Sequence, residues 1–267
     1  MAGEELDESD ELPEEEADVA ANASLADPQA LVDARIPEAL RERFEFFSYK
    51  NAAVILSETR KAEWEELLTT LYKFEISTEI IRKAGGNESE IPKRFTDILR
   101  PLKWFETVIR GDLMIKLTWK EQVRTTKGGK AVFEKKEANH RRAGYLDGHK
   151  IDYVKNRVAF DLEWNSKDQT FDRDLYAFSA FYQAGVIDAA VLITRSRDLN
   201  DVFRALGTTL DKEGNEVAGS NLMSKYGAST TWMGKLLYRL NAGRNGGCPV
   251  LAIGIKPGCV VDWEPPK

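Results

Sequence analysis

The stretch "HKIDYVKNRVAFDLEWNSKDQ", residues 149–169, decides the reading of this chain. Residues 157 to 164 have the length of a strand and hold an apolar run, Val158-Ala159-Phe160. Successive strand side chains point to opposite faces. Phe160, Leu162 and Trp164 therefore share one face, and Asp161 and Glu163 share the other. Two carboxylates this close repel each other, so both stay ionised most easily with a cation between them. Hard oxygen ligands select Mg²⁺ or Mn²⁺. Asp152 can approach from the preceding turn or strand as a third ligand, giving Asp, eight residues, Asp-x-Glu. The competing reading is an exposed sheet face with ordinary surface acids, since D-x-E is a common spacing. The flanking strands look buried, however, and Asn165, Ser166 and Lys167 put a polar cluster directly after the acids.

Downstream, "FDRDLYAFSAFYQAG" reads as a helix with Leu175, Phe178, Phe181 and Tyr182 inward and Gly185 as its C-cap. "VIDAAVLIT" is a nearly continuous apolar strand, as in a sheet covered on both faces. Residues 195–228 are polar and turn-rich, with "DKEGNE" as a tip. "TWMGKLLYRLNAG" is a second helix and "PVLAIGI" a closing strand. Upstream, residues 59–83 carry the helical spacing Trp64, Leu67, Leu68, Leu71, stopped by Gly85-Gly86. Pro92 to Glu106 suggests a further short helix. Residues 113–134 suggest a hairpin with its turn at "KGGK". The order of strands and helices predicts an α/β core with a mixed sheet.

Net charge is −6, but residues 1–18 hold ten acids and no Lys or Arg. Without them the chain has 38 basic against 34 acidic residues, a net of +4. Residues 1–33 are expected to be an acidic, disordered tail, and 34–267 a single domain. Residues 116–142 carry nine Lys or Arg, among them Lys127 and Lys130, against three acids. The plain reading is a solvated hairpin; the sharper one is a phosphate-contacting arm. Two cysteines and two histidines exclude a disulfide framework, and neither pair has zinc spacing. With no signal peptide and no apolar run near ~20 residues, a reducing cytoplasm and no membrane are expected.

The segment "IDYVKNRVAFDLEWNSKDQTFDRDLYAF" resembles the active-site region of restriction endonucleases of the BglII and BstYI type, within the PD-(D/E)xK nuclease superfamily. "GKLLYRLNAGRNGGCPVLAIGIKP" resembles that family's closing helix and strand, and "SYKNAAVIL…AEWEELL" its opening more loosely. The resemblance spans residues 44 to 257 and implies a restriction-endonuclease-like α/β core, a central mixed β-sheet flanked by helices. It implies Asp152 and Asp161 as metal-binding aspartates, Asp161 standing where glutamate is usual. Glu163 stands where most of the superfamily has lysine and the nearest relatives glutamine.

The implied activity is Mg²⁺-dependent cleavage of double-stranded DNA at a short palindrome, leaving 5′-phosphates, with Mn²⁺ a substitute. Asp152, Asp161 and Glu163 would be both catalytic and metal-binding. Asn165, Ser166 and Lys167, with Ser224, Lys225, Ser229 and Thr230 of "SKYGASTT", are placed to contact DNA. Thr230 or Thr231 also suits a plain helix N-cap. A palindrome implies a homodimer, with residues 59–83 one candidate for its interface. The rival readings are a nuclease without sequence preference, a DNA-binding module with a decayed site, and an α/β domain that binds no DNA.

Overall fold

The computed structural model describes residues 25–83, 90–227 and 229–265, apart from the side chain of Asp147. The expected helix stop at Gly85-Gly86 and residues 1–24 of the expected tail lie outside these. The remainder of that tail is not extended polar chain. Gln29–Asp33 is a helix, α1, and its Val32 is fully buried, so the core begins before residue 34.

The chain divides into two compact units. One comprises the residues up to Thr107 together with those from Ile151 onward; the other is Val108–Lys150. In the first, α1 is followed by α2 (Glu38–Arg43), β1 (Phe44–Tyr49), α3 (Ala52–Thr59), α4 (Lys61–Lys73), α5 (Thr78–Arg82) and α6 (Glu90–Leu99). The predicted helix over 59–83 is thus interrupted twice. Its second break has a clear cause: Ile76 donates to the Cys259 carbonyl at 3.0 Å and bridges to Val260, which pulls the backbone out of the helix. The helix predicted to reach Glu106 stops at Leu99, because Pro101 has no N–H to continue the ladder and Lys103 takes a left-handed φ of 67°. A 3₁₀ turn, Arg100–Leu102, leads into β2 (Phe105–Thr125).

Then follow β3 (Ala131–Lys155), β4 (Val158–Leu162), α7 (Thr170–Gln183) and β5 (Ala189–Arg195). Residues 195–228, expected to be polar loop, contain α8 (Leu199–Leu206), whose Leu199, Val202 and Phe203 are fully buried, and the short α9 (Leu222–Lys225). Polar positions between those three hid the i, i+3, i+4 spacing. The Asp211–Glu216 tip is a turn closed by Asn215 donating to Asp211 Oδ1 at 2.8 Å. α10 (Met233–Asn241) and β6 (Val250–Ile255) complete the core.

The described strands make one mixed sheet in the order β1-β6-β5-β4-β3-β2. β4, β5 and β6 are parallel; β1 pairs antiparallel with β6, and β3 with β4. The three parallel strands are buried along their whole length, as the near-continuous apolar runs required. Alternation sends Phe160, Leu162, Val191, Ile193, Leu251 and Ile253 into one core with Leu56, Leu67, Leu71 and Phe95 of the early helices. Phe95 lies 5.6 Å from Phe160, ring centre to ring centre. Asp161 and Leu192, paired in register, belong to the other face. The expected α/β core with a helix-flanked mixed sheet is therefore what the chain forms.

The second unit holds most of β2 and the first part of β3, joined by a turn in which Thr126 N donates to Lys130 O at 2.8 Å and Gly129 takes a positive φ of 81°. The predicted hairpin is present and longer than 113–134. Its large apolar residues Ile115, Leu117, Trp119, Val123 and Phe133 are exposed.

Candidate active site at the end of strand β4

The turn between β3 and β4 explains the eight-residue spacing. Only Asn156 and Arg157 separate the strands, and Asn156 takes the positive φ of 49° that such two-residue turns require. Lys155 pairs with Val158, Val154 with Ala159 and Tyr153 with Phe160. The next step along this ladder brings Asp152 to Asp161, and Asp152 N donates to Asp161 Oδ1 at 2.7 Å. Asp152 therefore arrives by strand pairing, one of the two routes the sequence allowed.

β4 ends at Leu162, and Glu163 continues it by donating its N–H to Ile193 O at 2.9 Å. Asp161 and Glu163 are both buried, at 4% and 7% exposure. They meet a carboxylate the sequence reading did not single out: Asp174 of α7, 1% exposed. Arg173 clasps Asp174 at 2.9 Å and Glu163 at 3.3 Å. Burial, reinforced by Asp174 and then Asp152, pushes the Asp161 carboxyl well above the usual carboxylate range. Burial and Glu163 raise Asp174 to about 8, against the pull of Arg173. Asp174 had a signal. It lies three residues after Phe171 and four before Phe178, a carboxylate on the apolar stripe of its helix.

Two oxygens of this cluster, Asp161 Oδ2 and Asp174 Oδ2, are buried without a hydrogen-bond partner. A buried unpartnered carboxylate oxygen is costly and calls for a proton or a cation. Hard oxygens with raised proton affinity fit a divalent ion. Among the described residues, however, no three His, Cys, Asp or Glu side chains converge as a ready ligand cage. The positive charge facing Glu163 and Asp174 is the guanidinium of Arg173.

The structure also joins the two segments expected to face DNA. Thr231 N donates to Ser166 O at 2.9 Å, Asp168 N to Ser229 O at 3.0 Å, and Lys167 bridges antiparallel to Thr230. Thr231 Oγ1 reaches Glu163 O at 3.3 Å, tying this edge to the acidic cluster. Lys167, Ser224 and Ser229 are exposed; Asn165 and Ser166 are half-buried. Lys225 is differently engaged: its Nζ donates to Ile81 O at 2.9 Å and to Lys83 O, and burial pushes it down to about 8. Thr230 Oγ1 accepts from Arg195 at 2.6 Å. The N-cap of α10 is Trp232, so neither Thr230 nor Thr231 caps it. Lys127 and Lys130 are exposed at the turn of the second unit.

Arg195, at the end of β5, was also missed. It is 2% exposed, donates to Tyr226 O at 2.7 Å and lies against the rings of Phe203 and Tyr226. Burial lowers it to about 10. A lone cation ending an apolar strand gave no hint of this network.

The fold is thus a mixed α/β sheet flanked by helices, with buried carboxylates at the end of a central strand. Residues 44–255 match the family of restriction endonucleases described as BglII/BglIII. The chain belongs to that family, and it is thereby a type II site-specific deoxyribonuclease that binds DNA. Enzymes of the family work with a divalent metal ion. No curated protein matches the sequence. No helix among the described residues is long and apolar enough to cross a membrane.

Proposed function

We propose that this endonuclease cleaves both strands of DNA at a short palindrome as a homodimer, with Mg²⁺, leaving 5′-phosphates. The observation that carries the reading is the pairing of Asp152 with Asp161 beside Asp174, with one buried oxygen of Asp161 and one of Asp174 lacking a partner. Asp152 and Asp161 would hold the ion, with Asp174 close enough to raise the proton affinity of Asp161. A divalent ion bound there supplies Lewis-acid polarisation of the scissile phosphate and a water of lowered pKa. Glu163, whose backbone is anchored to β5, orients the attacking water or takes its proton. Arg173 offsets the negative charge of Glu163 and Asp174 while they wait for substrate. The joined edge of Asn165, Ser166, Lys167, Ser229 and Thr230 reads bases, and Lys127 and Lys130 contact phosphates. Ser224 belongs to the same surface; Lys225 supports it from within through Ile81 and Lys83. Two-fold symmetry in the site calls for two copies of the chain, with α4 one face they could share. The two buried free cysteines suit the reducing cytoplasm.

The test is one digest of a sequenced plasmid with Mg²⁺, followed by end sequencing. Discrete fragments with 5′-phosphates are expected. A smear would replace the proposal with a nuclease lacking sequence preference. A second reading draws on Arg173, whose guanidinium stands where a cation would: a DNA-binding module whose site has decayed. It predicts retained binding with no cleavage in Mg²⁺ or Mn²⁺.

A further inference from the structure

A pocket of about 290 Å³ opens beside α10, lined by Asp168, Trp232, Lys235, Tyr238, Arg239 and Arg244. Its wall includes Gly234, where a Cβ would stand 2.2 Å from the Trp232 ring, so the indole lies close against the helix backbone. Three cations meet two carboxylates here. Lys235 Nζ lies 3.0 Å and Arg239 Nη2 3.4 Å from Asp168 Oδ2. Arg239 Nε lies 3.1 Å and Arg244 Nη1 2.7 Å from Asp172. The local charge is +1, with cation side chains held in place by the two acids. Lys235 and Arg239 are nearly buried, at 11% and 9% side-chain exposure. Arg239 Nε is buried with no acceptor in line, although Asp172 is near. Lys235 and Arg244 are drawn into one ion pair each, which leaves N–H groups for a further acceptor.

We propose that this pocket is a phosphate-binding site, occupied by a backbone phosphate of the bound duplex. Its cations suit a tetrahedral anion that accepts several charge-assisted hydrogen bonds. Trp232 and Tyr238 supply flat walls for the attached sugar. The place favours DNA over a free anion: Asp168, which orients Lys235 and Arg239, is the residue whose N–H donates to Ser229 O on the base-reading edge. A phosphate held here sets the register of the duplex on that edge. The assignment to DNA rests on the nuclease reading; the assignment to phosphate does not.

The experiment uses the full chain, without divalent metal, and measures affinity for duplex DNA as salt is varied. Arg244→Ala and Lys235→Gln should each make the slope of log affinity against log salt shallower by about 1. Lys93→Ala, an exposed lysine of α6 outside the pocket, should leave it unchanged. Melting temperatures establish that each variant is folded; Arg244→Gln replaces Arg244→Ala if that variant is not. In parallel, inorganic phosphate and 2′-deoxyadenosine 5′-monophosphate are titrated at millimolar concentration while melting is followed. Unchanged slopes, with stabilisation by the nucleotide in the wild type alone, would keep the phosphate site and overturn its assignment to DNA. Unchanged slopes with no phosphate-dependent stabilisation would overturn the site. A wild type that binds no DNA sinks the nuclease reading, and the phosphate titration then judges the pocket by itself.

Discussion

Strands β4 and β2 are written in the same alternating pattern and end in opposite surroundings. β4 and the two residues after it alternate Phe160, Leu162 and Trp164 with Asp161 and Glu163; β2 alternates Leu113, Ile115, Leu117 and Trp119 with Lys116, Thr118 and Lys120. Every residue of β4 is buried, whereas β2 is exposed from Met114 to its end. The period defines two faces, but neighbours decide what covers them. β4 has β5 along one edge, aromatic rings on its apolar face and Asp174 of α7 at its acidic one. Carboxylates follow the same contrast. In the first unit burial raises Asp161 and Asp174; in the second Asp112 is lowered by hydrogen bonds from Arg141 and from the Gly144 N–H.

The largest expected difference between the two regions is in stability. Phe160→Ala, at a site 1% exposed, should cost about 3–5 kcal/mol. Trp119→Ala, at a site 46% exposed, should stay within about 0.5 kcal/mol. Urea unfolding measures both, and comparable losses would mean that the face of β2 is covered.

A smaller effect tests burial of charge in the first unit. Glu45 on β1 is raised to about 7, first by burial and then by Asp198, against the opposing charge of Lys256. The folded state binds this proton more tightly than the unfolded one. Its contribution is therefore present at low pH and lost as pH rises from about 4.5 through 7. Glu45→Gln should remove that part of the decline and melt a few degrees higher at pH 8 (roughly, by the usual scaling of melting temperature with stability). Parallel melting curves from pH 5 to 8 for variant and wild type would sink the assignment.

The smallest effect belongs to the arm. Lys127→Ala with Lys130→Ala should leave melting unchanged and reduce the salt slope of DNA binding by up to about 2. An unchanged slope would make the hairpin turn merely solvated.

Much of this architecture was legible because apolar runs are strong signals. "AAVLITR" and "VLAIGI" could only be covered strands, and "FDRDLYAF" could only be a helix. The boundaries were less so, since Ile76 leaves its helix to pair with Val260, a partner far away in sequence. Within the site, Asp161 and Glu163 showed in the alternation of one strand. Asp152 needed the Asn156-Arg157 turn to become a neighbour. Asp174, Arg173 and Arg195 come from other elements, and only packing brings them in. Lys225 was legible as a cation near Ser229 and Thr230; that carbonyls of Ile81 and Lys83 hold it was not.

The central claim is that Asp161 anchors a metal-dependent cleavage centre. It is tested most directly by the rate of plasmid cleavage in Mg²⁺, wild type against Asp161→Asn, with DNA affinity and melting followed alongside. The account predicts a rate lower by on the order of a thousandfold, as befits several kcal/mol of lost charge stabilisation, with affinity and folding retained. A folded Asp161→Asn variant that cuts at the wild-type rate would contradict it.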